Sequence, residues 1–299
     1  MKKIIYSIIR YPLILIFLKT PLIKILKKRF SFQRSLKNRS YIMFVLDTFF
    51  EREYICKINN RDELRQLIAS TVKFGQGEKW ASHYYDNPIK DFETLKKQKV
   101  GLITAYEANP IYKKITEFIK SNNLDENENT YLIQLGSSSG RDLEFLFNYF
   151  PKLNFISTDI EDEILNFQKD KYKGKNFKFF KCYAEEIDKC INYFKLEDKK
   201  IIIFSIGSLQ YVVPFYLKDF FSKIGKFNNI NLFINEPVDL RFINLNKDLS
   251  SYRGKTSFSH MYSKYAEKFE IIEEKVIRPY SKEDKNHKYT GQYYLHIKS

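Results

Sequence analysis

Tyr131-Leu132-Ile133-Gln134-Leu135-Gly136-Ser137-Ser138-Ser139-Gly140-Arg141-Asp142 places an apolar run, a glycine-bounded bend and the opening of a helix in direct succession. An apolar run that short, stopped by glycine, reads as a strand covered on both faces. Leu143, Leu146, Phe147 and Phe150 then recur at helical spacing until Pro151. Asn154 to Thr158 predicts a second strand ending at Asp159, and Phe177 to Lys181 a third. Ile187, Cys190, Ile191 and Phe194 mark a helix, and Ile201-Ile202-Ile203-Phe204 a fourth strand. Leu217, Phe220, Phe221 and Ile224 mark the next helix, before a fifth strand over Ile230 to Ile234. Strands alternating with helices predict a doubly wound, mostly parallel α/β sheet.

The C-terminal part changes pattern. After a short helix at Tyr262 to Phe269, Glu270 to Val276 and Tyr289 to Ile297 read as strands joined by the polar loop Ser281 to Lys288. A loop of that length cannot carry a crossover helix, so these two strands should pair antiparallel. Upstream, Ile111, Ile115 and Phe118 mark an amphipathic helix, and residues 41–109 are mixed, read as a helical cap. The organisation expected is an arm over 1–40, a cap or lid over 41–125 and a ligand-binding domain over 126–299.

Charge is concentrated at one end. Eleven basic residues and no acidic one lie between Met1 and Leu46, which leaves 40 basic against 36 acidic residues in the remainder. Ile4, Ile5, Ile8, Ile9 and the run Tyr11 to Leu18 make that arm oily as well. Eight uncharged residues in a row fall short of the ~20 that a spanning helix needs. The mixture suits a segment lying on an anionic membrane surface. A tilted span and packing on the protein's own core are the other readings. Only 11 of the 51 basic residues are arginine, and the body is nearly balanced, so nucleic acid is disfavoured as a partner. Three cysteines exclude a disulfide scaffold and point to a reducing, cytoplasmic compartment, with the arm on the inner membrane face. The cysteines and four histidines show no metal-ligand spacing, so no metal is expected.

The bend carries the functional signal. Glycine permits positive φ and close backbone approach, and a helix N-terminus offers unpaired N–H groups. Asp159 lies at the end of the next strand, where its carboxylate can take both hydroxyls of a ribose. Strand, bend, helix and spaced acid together indicate a nucleoside-type ligand. Serine at 138 and arginine at 141 depart from G-x-G-x-x-G, which disfavours a dinucleotide.

These residues resemble class I SAM-dependent methyltransferases. Leu132 to Gly140 followed by Ile156-Ser157-Thr158-Asp159-Ile160 is similar to that family's first motif and acidic loop. Cys182-Tyr183-Ala184-Glu185-Glu186 resembles its adenine-side motif, and Ser205-Ile206-Gly207-Ser208-Leu209-Gln210-Tyr211 its cofactor- and substrate-lining motif. The resemblance, which covers Ile111 to the C-terminus, implies a seven-stranded Rossmann-like sheet closed by antiparallel strands, with S-adenosyl-L-methionine as cofactor. It implies cofactor contacts from Gly136, Ser137, Ser138, Ser139, Gly140, Asp159, Ile160, Ala184, Glu185, Ser205, Ile206 and Gly207. Leu-Gln-Tyr and Asn235-Glu236-Pro237 are reminiscent of methyltransferases associated with surface polysaccharide. The family's usual acids are missing at Gln134 and Tyr183, and the bend has fewer glycines. No Asp/Asn-Pro-Pro-aromatic motif follows the fourth strand, which counts against methylation of exocyclic amines on bases.

Candidate general bases are Glu236 at the end of the fifth strand, His260, and His83 in Trp80-Ala81-Ser82-His83-Tyr84-Tyr85. The expected activity is O-methylation of a sugar or lipid-linked glycan, or another small acceptor, near a membrane. The alternatives are an inactive methyltransferase-like binding module at the membrane and a nucleic-acid binder using the basic arm.

Overall fold

The computed structural model describes residues 89–245, 249–254, 257–284 and 287–299. The basic arm, most of the cap, and with them His83 and its aromatic neighbours, lie outside the described residues.

Seven strands form the central sheet: β1 Thr130–Leu135, β2 Asn154–Asp159, β3 Phe177–Lys181, β4 Lys200–Ile206, β5 Ile230–Asp239, β6 Glu270–Ile277 and β7 Thr290–Lys298. Their order is β6-β7-β5-β4-β1-β2-β3. β1 to β5 run parallel, while β7 pairs antiparallel with both β5 and β6. The fold is thus the seven-stranded, mostly parallel, Rossmann-like sheet that the motifs implied. The order reverses between β1 and β4, which opens a crevice at the carboxyl ends of those strands.

Alternation along each strand builds two cores. On β4, Ile201 and Ile203 face one apolar cluster, and Ile202 and Phe204 face the other. The helices α1 Ile111–Ser121 and α2 Arg141–Tyr149 cover the second face with Ile111, Ile115, Leu143 and Leu146. Between α2 and α4 in the chain comes α3, Asp162–Lys171. The first face is covered by α4 Ile187–Tyr193 and α5 Pro214–Ile224 through Ile187, Ile191, Leu217 and Phe220. Each such aliphatic or aromatic side chain contributes ~1.5–3 kcal/mol on burial. α1 was expected within the cap, yet its buried face belongs to the core of the sheet.

Two departures shape the site. β5 continues past Ile234 to Asp239 because β7 pairs with it throughout, from Thr290↔Asp239 to Lys298↔Asn231. β4 accompanies it only as far as Asn235, so the N–H that Pro237 lacks falls on an unpaired edge. Downstream, a hairpin of Ser250–Gly254 and Ser257–His260 packs behind the turn that follows β4. A two-residue hairpin, Lys99–Val100 with Ile103–Thr104, interrupts what was read as a helical segment.

Candidate functional site

The bend after β1 turns on three positive-φ residues: Gly136 (+60°), Ser138 (+51°) and Gly140 (+74°). A Cβ on Gly136 would lie 2.8 Å from the Ser208 Cβ, and one on Gly140 would lie 2.6 Å from Tyr172 Cε2. Both positions therefore exclude a side chain, for conformational and steric reasons together. The Tyr172 hydroxyl donates to the Ser139 carbonyl (2.8 Å), and Gln168 Nε2 to the Ser138 carbonyl (2.6 Å) and Ser137 Oγ (2.8 Å). Ser157 Oγ closes the network by donating to Gln168 Oε1 (2.5 Å). This buried network fixes the shape of the bend from behind.

The three serines consequently differ. The Ser137 hydroxyl is held by Ser157 and Gln168, and Ser139 Oγ accepts from the Arg141 N–H (3.3 Å). Ser138 Oγ is buried with no partner among the described residues, although its backbone is anchored. Of the three hydroxyls expected to meet a ligand, those of Ser137 and Ser139 have protein partners, and that of Ser138 is closed off from solvent without one among the described residues.

Asp159 stands at the end of β2 and is 7% exposed. Its carboxylate turns to the bend: Oδ2 accepts from the Ser138 N–H (3.1 Å), and Oδ1 from those of Ile160 (2.8 Å) and Glu161 (3.2 Å). Burial raises its carboxyl to about 6, with the three N–H groups opposing the rise. Carboxylate and bend are one hydrogen-bonded unit.

The acid missing at Gln134 has a neighbour. Gln134 Nε2 donates to Asp142 Oδ2 (2.8 Å), and the Tyr112 hydroxyl of α1 donates to Asp142 Oδ1 (2.6 Å). A negative charge is thereby held in the first turn of α2, where the helix dipole favours it. Next to the third strand, Ala184, Glu185 and Glu186 form a 3₁₀ turn, and the Glu185 carbonyl accepts from Lys223 Nζ (2.9 Å).

β4 leads into Ser205, Ile206 and Gly207 (φ +71°), then the 3₁₀ turn Leu209–Tyr211. Glu236 holds that turn. Its Oε1 accepts from the Ser205 hydroxyl (2.6 Å) and the N–H groups of Ser208 and Leu209 (both 3.0 Å); Oε2 accepts from that of Gln210 (3.2 Å). Glu236 is fully buried, and burial lifts its carboxyl to about 7. The strand's two-residue period explains this position: Ile234, Glu236 and Val238 face α5, while Asn235 and Pro237 face the opposite side. Glu236 was expected at the end of the fifth strand, but it lies inside β5, three residues before Asp239, and parity turns it away from the crevice. His260 is likewise fully buried, on the inserted hairpin, with Nδ1 2.6 Å from Ser250 Oγ. Burial lowers it to about 3, so it stays neutral at physiological pH. Both side chains are structural in this geometry, in place of the general-base roles expected of them.

A cleft of ≈ 250 Å³ opens on the other side of the sheet. Ile206, Gly207, Asn235, Pro237 and Gln292 form its floor at the ends of β4, β5 and β7, and Arg141 joins it to the bend. Its wall comes from Ile89, Leu95, Val100, Ala105, Asn109 and Tyr112. Sequence reasoning missed Asn109, Tyr112, Asp142, Gln168 and Asn235.

Searches of known proteins found likeness in structure only. No family model matches the chain, and no curated protein matches it in sequence. Among solved structures, a SAM-dependent methyltransferase from Anabaena variabilis is 14% identical with a TM-score of 0.44, over 73% of this chain and 93% of that one. A Clostridium acetobutylicum S-adenosylmethionine-dependent methyltransferase is 15% identical with a TM-score of 0.41, over 62% and 91%. A cyclopropane synthase of Mycobacterium tuberculosis is 10% identical with a TM-score of 0.44, over 62% and 84%. At such identities and TM-scores, function has to be argued from this chain's own residues.

Proposed function

We propose that this chain is a methyltransferase that uses S-adenosyl-L-methionine. The observation that carries the reading is the unit of bend and acid: two glycines that admit no side chain, a spare buried Ser138 hydroxyl and the inward-turned Asp159 carboxylate. These residues fit the group. Asp159 would take the ribose hydroxyls, the bend and Ser138 the amino-acid tail, and Ile160, Ala184 and Glu185 the adenine side. The bound sulfonium supplies an activated methyl group. The chain's part is to align an acceptor with it and to exclude water.

Titration of the full chain with S-adenosylhomocysteine by calorimetry is expected to show saturable binding. Asp159→Ala should weaken it at least tenfold. Because Asp159 titrates near 6 and the ribose hydroxyls need the ionised form, wild-type affinity should fall about tenfold between pH 7.5 and pH 5. Unchanged affinity in the variant would remove Asp159 from the site.

For the acceptor, a sugar or lipid-linked glycan hydroxyl at a membrane face is the reading favoured by the basic, oily residues 1–40. Among the described residues, no helix is long and apolar enough to cross a membrane. Methyl-tritiated cofactor incubated with the full chain and membranes should label an extractable glycolipid or polysaccharide fraction. Label confined to protein or nucleic acid would contradict that acceptor class.

A further inference from the structure

The hairpin of Ser250–Gly254 and Ser257–His260 brings Arg253 against the turn that follows β4. Its guanidinium donates to Gln210 Oε1, and Gln210 Nε2 in turn donates to the Gly207 carbonyl (2.6 Å). Arg253 is thereby fastened to the middle of Ser205 to Tyr211, the segment read as the cofactor- and substrate-lining motif.

The charge of Arg253 has no counter-ion in contact. A guanidinium carries five N–H donors in a fixed fork, and the neutral Gln210 amide is its only partner among the described residues. Other arginines of the domain differ: Arg141 lies 3.7 Å from Asp142, and Arg241 Nε reaches both oxygens of Asp239 (3.0 and 3.2 Å). Glu236 and Asp239 act on Arg253 through space, as do Tyr211 and Tyr262. Both carboxylates are committed elsewhere, however. Glu236 accepts from four donors around the turn, and Asp239 is held by Arg241. Arg253 is half-buried, and burial works against its charge. A cation that has given up hydration is normally paired. None of its nitrogens is among the closed-off, unpartnered atoms of the fold, so its spare donors open to solvent and can be reached. Beside Gln210, the exposed Tyr211 offers a ring for the organic part of a ligand.

We propose that Arg253 binds an anionic oxygen group, a carboxylate or a phosphate, which the methyl acceptor carries in addition to its reacting hydroxyl. That the anion belongs to the methyl acceptor rests on the function proposed above; the anion site rests on Arg253 and its surroundings alone. Hydrogen bonds from arginine to such groups are charge-assisted and can be bidentate, about twice as strong as neutral ones. Arg253 therefore discriminates between acceptors that differ only in charge.

The test holds a sugar ring constant and varies what it carries: methyl glucuronide has a carboxylate, glucose 1-phosphate a phosphate, and methyl glucoside neither. Saturation-transfer NMR on the full chain should show an anionic sugar bound at least fivefold more tightly than the glucoside, and the tighter of the two separates carboxylate from phosphate. Arg253→Gln removes the charge and should bring the ratio close to one. Gln210→Glu gives Arg253 a counter-ion of its own and should do the same, which keeps the test valid should Arg253→Gln fail to fold. A preference due only to the net charge of +15 would survive these substitutions. Survival in a folded variant, equal binding of the three sugars, or binding of none at millimolar concentration would overturn the site. S-adenosylhomocysteine titration of the same samples separates the two ideas. Anion preference without nucleoside binding keeps the Arg253 site and removes the transferase, and the converse removes only the site.

Discussion

Glu236→Ala is expected to lower stability by about 3 kcal/mol or more, the largest effect of any single truncation at the site. The substitution leaves the Ser205 hydroxyl and the N–H groups of Ser208, Leu209 and Gln210 without their acceptor in a buried place. In a domain of this size that amounts to roughly 6–12 °C in Tm. The turn it anchors also carries Ser208, whose hydroxyl donates to the Gly136 carbonyl (3.0 Å), so the bend should loosen as well. A pH series separates charge from packing. The folded carboxyl titrates near 7 against an ordinary 4.5, so its stabilising contribution is complete below about 4.5 and is lost as pH rises through 7. Wild type should therefore lose stability relative to Glu236→Gln between pH 5 and pH 8. A mutational cost below 1 kcal/mol by denaturant titration would mean that Glu236 does not hold the turn, whereas parallel pH profiles would mean that its four hydrogen-bond donors fully offset the burial of its charge.

The second large effect is expected at Gly140. Valine there must adopt φ +74° and place Cβ against Tyr172, which is buried and hydrogen-bonded to the bend. The left-handed backbone costs ~1–2 kcal/mol and the overpacking ~1–3 kcal/mol. Because the strain falls on the bend itself, nucleoside binding should drop at least tenfold even in molecules that remain folded. Gly174 is the control: it is also left-handed (φ +86°), with nothing within 4 Å of the point a Cβ would occupy. Gly174→Val should share the backbone cost and spare binding. Equal loss of binding in both variants would show that the bend is not the binding element.

Much of this was legible in the chain itself. β1 and β4 are short apolar runs between glycine or polar breaks, and burial on both faces is what makes such runs strands. The bend and Asp159 were legible because their chemistry is local: a strand end, a turn that needs positive φ, and a carboxylate one strand over. The end of β5 was not, since Asn235-Glu236-Pro237 looks like loop chemistry until β7 pairs with it from the far end of the chain. Parity along that extension then decides which side chain reaches the cleft, and a strand of unknown length has no readable parity. The hairpin carrying His260 is short and serine-rich, so its burial comes from tertiary packing that no local pattern records. Asp142 illustrates the same limit. The charge absent at Gln134 is supplied across a helical turn and held by Tyr112 from another helix.

A crystal structure of the full chain with S-adenosylhomocysteine tests the central claim most directly. The expected result is ribose hydroxyls on the Asp159 carboxylate, the amino-acid tail over Gly136 to Gly140 within reach of Ser138 Oγ, and the sulfur facing the cleft at Asn235. A nucleoside seated elsewhere, or a bend left empty at millimolar ligand, would contradict it.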